Sequence, residues 1–70
     1  MFNTFISSDG IAWTMIDPIS ALDHTDRAAC VTYAEAVTVA TGAAWAEVRR
    51  IDGFVLATWG PSGDTVRQDW

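Results

Sequence analysis

His24 and Cys30 have the widest chemical repertoire of any residues in this 70-residue chain, and each occurs only once. They stand six residues apart, and Cys30 falls on an apolar stripe, so a buried structural thiol is the plainer reading than a nucleophile. An exposed thiol joining two copies through a disulfide is the alternative. Metal ligation fares no better. Asp23, His24 and Asp26 are neighbours, but helix-start chemistry accounts for both aspartates, and no Cys-x-x-Cys, His-x-x-x-His or calcium-loop spacing occurs. Gly60-Pro-Ser-Gly63 is not followed by Lys-Ser/Thr or by a helix start, which rejects a phosphate-cradling loop. A chain this short also leaves little room for a deep ligand pocket of about 300–1,000 Å³. No cofactor, no metal and no enzymatic activity are therefore expected.

Aromatic and cationic side chains are the other candidates. Four tryptophans, Trp13, Trp45, Trp59 and Trp70, are a heavy load for this length. Trp59 reads as core, and Trp13 and Trp45 as half-buried sheet residues. Trp70 is a candidate contact, because tryptophan is enriched at interface hot spots. Arg49 and Arg50 would suit a base-stacking sheet only within a basic groove. Arg49 instead stands beside Glu47 on one strand face, where local pairing is simpler. Direct nucleic-acid binding is not expected.

Two Asp-Gly pairs organise the elements that position these groups, because Asp-Gly between apolar runs marks a two-residue hairpin turn. Asp9-Gly10 joins residues 2–7 to 11–16, opposing Ile6 to Trp13 and Thr4 to Met15; the Ser-Ser-Asp-Gly run also allows a longer loop. Asp52-Gly53 joins 45–51 to 54–59, opposing Ile51 to Phe54, Val48 to Ala57 and Ala46 to Trp59. Ala46, Val48, Val55, Ala57 and Trp59 then form the core face. Glu47, Arg49 and Thr58 lie on the other, beside Ile51, Phe54 and Leu56.

Between the hairpins, Asp17-Pro18 ends the second strand. Ser20-Ala-Leu-Asp23 and Asp23-His-Thr-Asp26 both have helix-start spacing. A helix is predicted from near Thr25 to a stop at Gly42. Its apolar stripe is Cys30, Tyr33, Ala34, Val37, Ala40 and Thr41. Residues 60–64 read as a loop, and 65–70 as a short further strand or a loose end. The expected fold is α+β: residues 1–70 form a single domain, an antiparallel sheet of four to five strands in the order β-β-α-β-β, with a further β if 65–70 pairs. One helix packs on one face.

Composition bounds the function. Half the residues are hydrophobic, which suits a folded domain. No run reaches the ~18 apolar residues of a membrane helix, no signal peptide is visible, and one cysteine suits a reducing compartment. A cytoplasmic setting without membrane contact is the expectation. The net charge is −5, and all four cations are arginine. Residues 1–26 hold four aspartates and no basic residue, whereas 27–70 hold four arginines and five acids. Such a surface repels nucleic acid and recruits proteins with basic surfaces. Asp9, Asp17, Asp23, Asp26 and Glu35, with Trp70, are the candidate partner-binding residues.

In its length, its −5 charge, its lone cysteine and the hairpin–helix–hairpin order built on Asp9-Gly10 and Asp52-Gly53, the chain resembles the small phage-borne anti-CRISPR proteins. That group shares no common motif, so the resemblance assigns no residue. It implies stoichiometric inhibition by docking on a Cas effector complex in the bacterial cytoplasm, commonly at its DNA-binding surface. Other acidic interaction modules fit the same residues: an antitoxin, an adaptor or a phage structural subunit. So does a homodimer built through an exposed sheet face or edge.

Overall fold

The computed structural model describes residues 2–17 and 26–64. Five strands, β1 (Phe2–Ser7), β2 (Thr14–Ile16), β3 (Trp45–Arg50), β4 (Val55–Gly60) and β5 (Gly63–Asp64), form one antiparallel sheet in the order β2-β1-β3-β4-β5. The helix α1 (Arg27–Thr41) comes between β2 and β3 in the chain. Both of those strands pair antiparallel with β1, so they run parallel with β1 between them, and α1 makes the crossover. The α+β class and the helix-on-sheet arrangement are those expected from the hairpin–helix–hairpin order.

The described helix begins at Arg27, two residues from the expected start near Thr25. Asp26 is itself the N-cap: its carboxylate accepts from the backbone N–H of Ala28 at 2.9 Å and of Ala29 at 3.4 Å. Gly42 ends α1 in the left-handed conformation (φ 75°), with its N–H on Thr38 O at 2.9 Å. Cys30, Tyr33, Ala34 and Val37 are buried as the stripe predicts, whereas Ala40 and Thr41 are exposed. They belong to the last turn, where α1 runs past the core. Proposed features at Pro18, Ser20, Asp23 and 65–70 lie outside the described residues.

The first hairpin is longer than two residues. Thr4 pairs with Ile16, Phe5 with Met15 and Ile6 with Thr14, one residue away from the expected register. Ser7 and Asp9 cause the shift. Ser7 Oγ accepts from the N–H groups of Asp9 and Gly10, and Asp9 Oδ1 accepts from those of Ile11 and Ala12. These bonds close a loop over 8–13 that draws Trp13 out of the strand. A one-residue slip exchanges faces. Met15 therefore joins Phe5 on the face away from α1, while Thr4 and Ile6 turn toward the helix. Thr4 is fully buried, with its hydroxyl 3.4 Å from that of Tyr33.

The second hairpin keeps the Ala46–Trp59 and Val48–Ala57 pairs but not the tight turn. Arg50 N–H donates to Phe54 O and Gly53 N–H to Arg50 O, so three residues form the turn and only Gly53 takes positive φ. The added residue is absorbed as a bulge. Arg49 pairs with Val55, leaving Leu56 between two pairs. Leu56, expected outside, is only 2% exposed in the core cluster; Val55, expected inside, faces the Arg49 side half-buried. Phe54 likewise packs against the core, and Ile51 is exposed. Trp59 is half-buried at the core margin. The expected loop at 60–64 is a tight hairpin, with Gly60 paired to Gly63.

Candidate functional site

Arginine placement decides which carboxylates remain charged and exposed. Arg27, the first residue of α1, holds Asp64 on β5 at 3.1 Å. Arg50 grips Asp52 across the turn at 2.8 and 3.2 Å and lies 4.6 Å from the Phe54 ring centre. Arg49 pairs with Glu47, as their shared strand face predicts. Its guanidinium lies 4.2 Å from the Phe5 ring centre and 5.7 Å from that of Trp13. Glu47 is 1% exposed and also accepts from Thr58 Oγ1 at 2.8 Å. Glu47 is therefore the buried partner of a part-exposed ion pair on the sheet face opposite α1, with Phe5 and Trp13 against the Arg49 guanidinium. Each described arginine thus has an acidic partner.

The four described acids outside these pairs are Asp9, Asp17, Asp26 and Glu35. All four are exposed. Asp9 is held below the ordinary carboxylate pKa by hydrogen bonds from Ile11 and Ala12 N–H and from the Ser7 hydroxyl. Asp26 caps α1, and Glu35 lies midway along its outer face. Asp17 follows the edge strand β2. The four do not form a single patch. Asp26 and the Asp9 loop belong to opposite ends of a 15-residue helix about 22 Å long. Asp23 and Trp70 lie outside the described residues.

Two features have no signature in the sequence. Trp45 lies on the face opposite α1, where a Cβ at Gly10 would come within 3.0 Å of its ring and one at Gly60 would overlap it. The other is an open cleft of about 520 Å³ between the end of α1 and the first hairpin. Its walls are Ile6, Ser7, Ser8, Ala12 and Thr14 on one side and residues 41–44 on the other. Small side chains around Gly42 leave this space, and only the packing of α1 against the first hairpin reveals it. No acid, base, histidine or cysteine lines it.

Among the described residues, no three His, Cys, Asp or Glu side chains gather as a metal site, and the Cys30 thiol is buried. No described helix is long and apolar enough to cross a membrane. Comparisons with family models, curated proteins and solved structures find no match.

Proposed function

We propose that this chain is an acidic protein-binding domain that docks on a basic surface, acting by occupancy and not by catalysis. In its particular form, the anti-CRISPR resemblance makes that surface the DNA-binding face of a Cas effector complex. One observation carries the reading. The described arginines are matched to Glu47, Asp52 and Asp64, while Asp9, Asp17, Asp26 and Glu35 remain exposed and outside those pairs. Among the described residues these four carboxylates have no arginine partner, and the resulting negative field steers a basic partner and repels nucleic acid. Because the Asp9 loop and Asp26 lie at opposite ends of α1, the fitting partner is a broad basic surface, not a single cationic side chain.

Incubation with a purified type I effector complex, followed by a target-DNA binding assay, tests the proposal. Capture of the complex with loss of DNA binding supports it; normal DNA binding with no capture refutes it. Exposed Ile11 and Met15 favour self-association as a second reading. Size exclusion over a concentration series distinguishes an apolar dimer from a monomer. The expected alternative of an exposed thiol is corrected, since Cys30 is fully buried and offers no intermolecular disulfide.

A further inference from the structure

β2 forms one edge of the sheet, and among the described residues it pairs with β1 alone. We infer that this edge takes an extended basic segment of the partner as an added, hydrogen-bonded strand; this rests on the docking reading above and gives that partner its mode of attachment. An edge strand directs every second residue's N–H and C=O outward and unpaired, ready to pair with another chain. Charge, proline or a covering segment commonly blunts such an edge. Thr14–Ile16 contains no charged residue and no proline, and Thr14 and Met15 are exposed. The opposite edge is less open: β5 is two residues long, and its Asp64 is held by Arg27.

Charge selects the occupant. Asp17 directly follows β2, exposed and outside the arginine pairs. The loop that leads into β2 carries Asp9, whose Oδ1 lies 2.8 Å from the backbone N of Ile11. Between these two carboxylates, Ile11 is 82% exposed and Met15 60%. Arg49 reaches the Trp13 ring but is bound to Glu47. An incoming strand with an apolar residue opposite Met15 and a cation opposite Asp17 gains both cross-strand pairs. A second copy of this chain fits less well. Antiparallel pairing centred on Met15 would set Asp17 of each copy beside the acidic 8–13 loop of the other, and like charges across strands are destabilising.

Titration of the isotope-labelled chain with the peptide acetyl-Gln-Lys-Thr-Val-Thr-Lys-Gln-amide tests this assignment. With its valine opposite Met15, either strand direction sets a lysine opposite Asp17. Saturable amide shifts are expected at residues 14–17, and a peptide with glutamate for both lysines should bind about tenfold more weakly. Asp17→Lys, at an exposed position outside the described ion pairs, should reverse that preference. Strand addition uses one edge of the peptide. Of two N-methylated peptides, one blocked at the valine and lysines and the other at the threonines, only one should therefore lose binding. Absence of saturable binding, equal binding of the lysine and glutamate peptides, an N-methylated pair that does not split, or shifts centred on α1 or β5 would each overturn the inference. Self-association through 14–17 in the absence of peptide would do the same. The two readings fail separately. Partner capture unchanged by Met15→Lys, which places a cation on the edge, removes β2 as the attachment and leaves docking intact. Peptide binding at β2 without capture of any effector complex does the reverse.

Discussion

Trp45 lies across Gly10 and Gly60; a methyl group would press tightly on its ring at Gly10 and overlap it at Gly60. The two positions make different demands. Gly10 also needs its positive φ, whereas Gly60 is excluded by the ring alone. Gly60→Ala should cost about 2–3 kcal/mol by overpacking. Gly42→Ala should cost about 1 kcal/mol, because its left-handed backbone is strained but nothing stands nearby. Urea denaturation of both variants checks the order, and a harmless Gly60→Ala would contradict the Trp45 packing. Asp9 makes a separate prediction. Its folded pKa lies below the ordinary 3.8. Its contribution is therefore fully present above that value and is lost as pH falls through the folded pKa. Thermal melts should show Asp9→Asn less stable than wild type at neutral pH, with the gap narrowing under acid. A gap that persists unchanged at low pH would assign the effect to something other than the carboxylate.

Capping, bulging and ion pairing act at the level of elements. Asp26→Ala should cost about 1 kcal/mol and fray the start of α1, read by circular dichroism and denaturation. The Glu47–Arg49 pair supports the sheet face away from α1. Arg49→Met strands the Glu47 carboxylate and should cost about 2–3 kcal/mol, at the low end because Arg49 retains 28% side-chain exposure. Adding Glu47→Gln to Arg49→Met should restore much of that loss, and strict additivity would exclude the pairing. Strand and helix periodicity made the elements legible, including the Ala46–Trp59 and Val48–Ala57 pairs and the burial of Cys30, Tyr33, Ala34 and Val37. The turns were less legible, because Asp-Gly serves several loop lengths. At Asp9, side-chain bonds to the backbone widen the loop; at Asp52, only Gly53 takes positive φ. The resulting bulge exchanges Val55 and Leu56 between faces, an outcome that alternation alone does not contain.

At the scale of the whole molecule, the described charges fall into paired and exposed sets. That division was only partly legible. The Glu47–Arg49 pair follows from adjacent positions on one strand face, but Arg27–Asp64 joins residues 37 apart and needs the fold. The cleft was not legible either, since it arises from the packing of α1 against the first hairpin. Asp17 and Glu35 are the most direct probes of docking, because Asp9 and Asp26 also hold local structure. The affinity of the purified chain for a type I effector complex, measured across a salt series for wild type and for Asp17→Asn/Glu35→Gln, tests the acidic-docking claim. The account predicts capture that displaces target DNA and weakens with salt, and a double variant that binds less tightly with a flatter salt dependence. Absence of capture, or equal affinity and salt dependence for the two chains, would contradict it.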